Sequence, residues 1–157
     1  MSESTHLSKT QRALFIAGGA AGLFLVYFFQ EYLDFHSLLF EFSVPERLNY
    51  TSEYREIEVF PFVVNKAGRY ILNDLFSIAL IYGIFAKKKY ARFAFVVMMF
   101  GLFVLLPIYL YLYLAQPAGL SSMLSHLHRV VMNPVLMMLL IPAFLAQQNR
   151  HVVSRET

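Results

Sequence analysis

The sequence predicts an all-α, polytopic membrane protein: four transmembrane helices and a partly structured outer loop in a single membrane domain. Three observations predict it. Hydrophobic residues make up 58% and charged residues only 15%, against roughly 25% charged in an ordinary soluble domain. The apolar residues fall in long uncharged blocks: 18 residues between Arg12 and Glu31, 36 between Arg92 and Arg129, and 20 between Arg129 and Arg150. A helix crossing the hydrocarbon layer needs about 20 such residues. The basic residues gather at the ends of the blocks, where they set topology. This pattern excludes a soluble fold, a disordered tail and a nucleic-acid binder, because the net charge of +3 is small and localised. With no cysteine, disulfides, thiolate nucleophiles and sulfur ligands are excluded too.

The first span covers about 13–30. Lys9 and Arg12 precede it as in a signal peptide, but Tyr27, Phe28, Phe29 and Gln30 follow instead of a small-x-small cleavage site, so it reads as retained. Gly18 and Gly22 form a G-xxx-G step on which another helix can pack closely. The second span covers about 70–85, between Arg69 and the Lys87–Lys88–Lys89 run. The third covers about 93–114, and Pro107 inside it predicts a kink. The fourth covers about 130–145. Pro134 falls in its first turn, where a missing N–H costs little, and Pro142 predicts a bend near its far end.

Four spans put both termini on one side. Eight basic residues, from Lys9 and Arg12 through Lys87, Lys88, Lys89 and Arg92 to Arg150 and Arg155, share that side. The other side has five, together with seven of the ten acids between Glu31 and Glu58. The positive-inside rule therefore places both termini in the cytoplasm; the family resemblance given below implies that the membrane is a bacterial inner membrane.

The outer loop, 31–68, is rich in large apolar side chains, which disordered linkers lack. Tyr32 to Phe42 predicts a short interfacial helix with Phe35, Leu38, Leu39 and Phe42 on one face. An extended stretch follows, with a weak strand signal at Glu56–Val59 that Pro61 interrupts. So many aromatic groups outside the spans point to a docking surface for a membrane partner; the alternatives are a loop that only covers the outer ends of the helices and an enzymatic cleft.

Several polar residues fall inside or beside the spans. Arg69 and Asn73 are four apart on one helix face, and Arg129 and Asn133 repeat the spacing. Asp74 is the most demanding group, because a lone carboxylate in lipid is costly, so it should face the bundle. The expected contacts are Arg129 or Arg69 with Asp74, and Asn73 with Asn133, knitting the second span to the fourth. Ser77 is expected to bond a carbonyl of its own helix. His126 and His128 have no second ligand pair at a recognisable spacing, and no catalytic or phosphate-binding motif is present. No metal and no cofactor is expected.

Arg69-Tyr-Ile-Leu-Asn73 with Leu75-Phe-Ser-Ile-Ala-Leu-Ile-Tyr82 resembles the second span of the exosortase F system-associated membrane proteins of Bacteroidota. Arg129 and the stretch from Asn133 through Pro142 to Phe144 fit the same family, as do the length and the aromatic segment 32–42. Asp74 and the glycine step have no place in that pattern. The resemblance implies a non-catalytic accessory or stabilising partner of an exosortase-like membrane protein, with lipids as its other neighbours. It implies recurring positions at Arg69, Asn73, Arg129, Asn133 and Pro142. The competing expectation is a small membrane enzyme with an outward-facing polar site near Asp74.

Overall fold

The computed structural model describes residues 7–42, 58–115 and 119–156, with 121 and 149–156 as backbone only. Within these residues the protein is all-helical. Helix α1 runs from Lys9 to Phe28. Ser8 caps it: its hydroxyl accepts from the Gln11 amide at 3.1 Å, and the Gln11 side-chain oxygen accepts from the Ser8 amide at 3.0 Å. Two orphan donors are satisfied reciprocally. A π turn at Ser37–Glu41 then ends at Phe42, which adopts a left-handed conformation with φ 51°. Helix α2 runs from Val59 to Phe85, α3 from Lys88 to Phe100, and α4 from Leu106 to Ala115. A π segment, Gly101–Leu105, joins α3 to α4. Helices α5 and α6 cover Ser121–Met132 and Val135–Glu156.

Two stretches are long and apolar enough to cross a membrane, Lys9–Phe28 and the continuous run Lys88–Ala115. A third is reached if the bent pair Ser122–Met132 and Val135–Gln148 counts as one span. Helix α2 is long enough, at 27 residues, but it carries Lys66, Arg69 and Asp74 and falls outside that set by composition. The reason is positional. It is the hub of the bundle, packed against α1, α3, α5, α6 and the π segment, and it turns Asn65, Lys66, Asn73, Asp74 and Ser77 inward.

Several element boundaries differ from the sequence reading. Helix α2 starts at Val59, so the last ten residues of the expected loop, 59–68, are helix and Pro61 sits in its first turn. In the weak strand signal, Glu56 and Ile57 lie outside the described residues and Val59 opens α2. Pro107 does not end its helix. It cannot donate to the Phe103 carbonyl and its ring crowds that oxygen. The chain widens just before it, with the Leu106 amide reaching the Gly101 carbonyl, and the helix continues to Ala115. Pro134 has the opposite outcome. Residues before proline favour extended backbone, and Asn133 takes φ −104°, ψ 150°. The fourth expected span is thus broken there by 63°. Pro142 lies within an unbroken α6.

The Gly18–Gly22 step is corrected as well. Gly18 is exposed with no neighbour near its Cβ position, whereas Gly19 and Gly22 are buried. A Cβ at Gly19 would come 2.8 Å from the Leu80 amide and the Phe76 carbonyl, and one at Gly22 would strike the Phe76 ring. Gly83 makes the reciprocal approach, with Phe15 and Ile16 2.9 Å from its Cβ position. Beside it, Arg12 donates to the carbonyls of Gly83 at 3.2 Å and Ile84 at 2.7 Å. The start of α1 thereby satisfies orphan carbonyls at the end of α2. At the same end the Tyr90 ring packs at a tilt against Phe144 at 4.4 Å and Phe85 at 5.1 Å, locking α6 onto α2 and α3.

Candidate functional site

The residues singled out from the sequence cluster around the first half of α2, at the end of the bundle where α1 finishes. The outer segment is clamped there by polar groups. Asp34 caps the turn that follows it, accepting from the Ser37 amide at 3.1 Å and the Ser37 hydroxyl at 2.6 Å. Asn65 of α2 joins from the other side. Its amide nitrogen donates to Asp34 at 3.0 Å, and its oxygen accepts from the His36 amide at 2.8 Å. Partial burial would raise the Asp34 pKa, but the Ser37 hydroxyl and amide, the Asn65 amide and neighbouring His36 outweigh it, and the carboxyl is held below its ordinary value.

This clamp sorts the apolar side chains of the segment. Phe35 turns in, its ring lying where a Cβ on Gly68 would fall. Leu38, Leu39 and Phe40 are more than half exposed, and Phe42 is 88% exposed. The single face expected for Phe35, Leu38, Leu39 and Phe42 is therefore split between an anchor and a displayed set. His36 stacks on Phe40 at 5.5 Å and meets Phe60 edge-on at 5.6 Å, so the displayed set continues onto the start of α2.

Deeper along α2, Arg69 is half-buried and donates to the Gln30 side-chain oxygen, tying α2 to the end of α1. Asn73 is buried and donates to the Met132 carbonyl at 3.0 Å. That carbonyl is an orphan of the helix break, since α5 ends at Met132. Asn73 thus reaches the residue beside Asn133, while Asn133 itself is exposed, as is Arg129. The two Arg–Asn motifs lie side by side without pairing, and one is continuous helix while the other ends in the break. Asp74 is 4% exposed and faces the bundle. Its carboxyl meets the Tyr70 hydroxyl, not Arg129. That hydroxyl donates to the Met98 carbonyl at 3.2 Å, and a Cβ at Gly101 would fall on it. Ser77 donates to the Asn73 carbonyl of its own helix at 2.9 Å.

A second cluster was not foreseen. Tyr109 of α4, fully buried, shares a 2.7 Å hydrogen bond with His128 of α5. Tyr113 stacks on Phe62 at 4.9 Å, and the Lys66 ammonium lies over both rings at 5.3 and 6.0 Å. A buried lysine three residues before Arg69 on one helix face was the available signal. His126 is exposed and apart from this group. Among the described residues, no group of three or more His, Cys, Asp or Glu side chains is placed to hold a metal.

No known family, curated protein or solved structure matches this chain. Its function must be argued from this geometry. Asn73 ties α2 to the end of α5, while Ser77 and Asp74 are engaged with the Asn73 carbonyl and Tyr70 of their own helix. In the outer segment Phe35 is an internal anchor, whereas Leu38, Leu39 and Phe42 are displayed outward.

Proposed function

We propose that the chain is a non-catalytic accessory subunit that docks to a larger membrane protein through its outer segment. The observation carrying this reading is the division of labour in residues 34–42. One side is fixed to α2 by Asp34, Ser37 and Asn65, and the other presents Leu38, Leu39, Phe40 and Phe42 outward. A segment held by polar bonds while its largest apolar groups are displayed is pre-organised for an apolar contact, which lowers the entropic cost of binding.

In this reading α2 serves as a fourth crossing, its polar face covered by its neighbours. Both termini lie in the cytoplasm of a bacterial inner membrane, and the displayed segment faces outward. The partner is an exosortase-like protein-sorting enzyme, in line with the sequence resemblance. The alternative, an enzyme centred on Asp74, has less support, because that carboxyl is buried against Tyr70.

Mild-detergent purification of the tagged protein from its native membrane, followed by mass spectrometry, tests the reading. A stoichiometric sorting enzyme is expected, and Phe42→Ser with Leu38→Ser should release it without lowering the abundance of this chain. Recovery of the protein alone at normal abundance would sink the proposal.

A further inference from the structure

Helix α5 is turned the wrong way round for a helix that meets lipid. Ser122, Ser125, His126 and Arg129 fall at spacings of three and four, on one face, and all four are exposed. Asn133 carries the stripe into the break and is exposed too. Leu124, Leu127, Val131 and Met132 face the core instead. Helix α3 shows the order that hydrocarbon requires, with Phe93, Phe95, Val96 and Phe100 outward.

The stripe also lies at membrane depth. Two rungs join α6 to α2: Asn73 bonds the Met132 carbonyl at 3.0 Å, and Phe85 meets Phe144 at 5.6 Å. Phe85 is twelve residues past Asn73, and Phe144 is twelve past Met132. The two helices therefore run side by side for about 18 Å. Phe85 sits at the inner edge, beside Arg12 and the Lys87–Lys89 run. The break is thus about 18 Å above that edge and about 12 Å short of the outer edge of a ~30 Å core. From there α5 departs at 63°, climbing only about 0.7 Å per residue. Its 12 residues gain about 8 Å and stay beneath the outer edge. An interfacial helix with this pattern floats at the boundary of the core; this one starts well below it.

Irregular backbone at membrane depth persists only where protein covers it or water reaches it, and an arginine there faces a partner. Arg129 is about 10 Å below the outer edge, and among the described residues no side chain pairs with it. The stripe holds one permanent cation, a histidine and no acid. What completes it is a carboxylate at a fixed depth. A second copy of this chain does not supply one through the same face, because Arg129 would meet Arg129 and Asp74 is buried.

We infer that α5 and the break form a seat for a transmembrane helix of another protein, one that sets an aspartate or glutamate against Arg129. The inference rests on the reading of α2 as a crossing and is independent of the outer docking segment.

The full chain, reconstituted with a fluorescent donor in phosphatidylcholine vesicles, tests this. It is titrated with an acceptor-labelled leucine–alanine transmembrane peptide that carries either glutamate or leucine a third of the way in. Energy transfer should show the glutamate peptide binding about tenfold more tightly, the worth of one good polar contact between helices. Arg129→Gln should remove the preference. Arg92→Gln, which removes an exposed charge at the inner end, should keep it. Ser125→Trp, which fills the middle of the stripe, should abolish the tight binding with Arg129 in place. Equal affinity for the two peptides overturns the inference, as does an equal loss in Arg129→Gln and Arg92→Gln. The chain has no cysteine, so Ser125→Cys introduces a single thiol. In native membranes that thiol should resist a membrane-impermeant maleimide, and rapid labelling would mean a water-filled cleft and overturn the seat. Release of the chain from membranes by alkaline extraction would overturn the crossing and this inference together. A retained chain without the peptide preference overturns this inference alone.

Discussion

The two halves of α2 hold their neighbours by different physics. The first half buries Asn65, Lys66, Asn73 and Asp74 and reaches other elements through hydrogen bonds. The second half meets α1 at close range, with Gly19 against the backbone of Phe76 and Leu80, Gly22 against the Phe76 ring and Gly83 against Phe15 and Ile16. In lipid, helices gain little from burying apolar surface against each other. Close packing and polar bonds are the two remaining sources of specificity, and this helix uses one on each half. The glycine half tolerates no added volume. The polar half tolerates volume but not the loss of a partner.

That contrast can be broken in graded steps. Gly19→Leu should have the largest effect, because the added side chain meets the α2 backbone, which cannot rotate away. A loss of about 3 kcal/mol is expected, read as a lowered unfolding midpoint in detergent, whereas Gly18→Leu should be nearly silent. If the two variants behave alike, α1 does not pack on the Gly19 face. Next comes Asn73→Leu, which preserves volume but leaves the Met132 carbonyl without its donor, at about 1–2 kcal/mol. Hydrogen exchange should quicken around the α5–α6 break, and unchanged exchange there would remove Asn73 from its role. Asn65→Leu should cost about 1 kcal/mol and act locally, freeing the outer segment while α1 and α2 stay packed. Protease susceptibility near Phe42 is the readout, and a global loss of stability would contradict it.

The smallest effect is a pH dependence. The Asp34 carboxyl is held below its ordinary value of 3.8 in the folded state. Its contribution is therefore complete above that value and is lost as pH falls through the lower folded value. Amide exchange at Ser37 should rise below about pH 4 in the wild type and should show no such step in Asp34→Asn.

The helical class and the membrane character were legible because they rest on composition and block length. The phase of α1 was not. Its apolar residues surround the helix, so nothing in the sequence distinguishes the Gly18 face from the Gly19 face, and only the shape of α2 decides. Asn73 was legible as an inward polar group. Its partner was not, because the acceptor is a backbone carbonyl exposed by a break at Pro134 that also turns Arg129 and Asn133 outward. The Asp34–Asn65 clamp was missed although half of it is written locally: Asp34-Phe-His-Ser37 is a helix-capping spacing. The other half comes from residue 65, and tertiary pairs of that kind leave no trace in a single sequence.

The π segment at Gly101–Leu105 also has a consequence for how the chain tolerates length changes. A π turn holds one residue more than the α-helix it interrupts, so everything after it is rotated by about 100° relative to an uninterrupted α-helix. Tyr109 faces His128 because of that rotation. Deleting any one residue between 101 and 105 would let the helix close into regular α geometry. Tyr109 and Tyr113 would keep facing α5 and α2, because the deletion removes only the residue that the π turn absorbs. The bulge is thus a length buffer: one residue can be lost there without turning the interface downstream, whereas closing it at constant length would rotate Tyr109 away by about 100°.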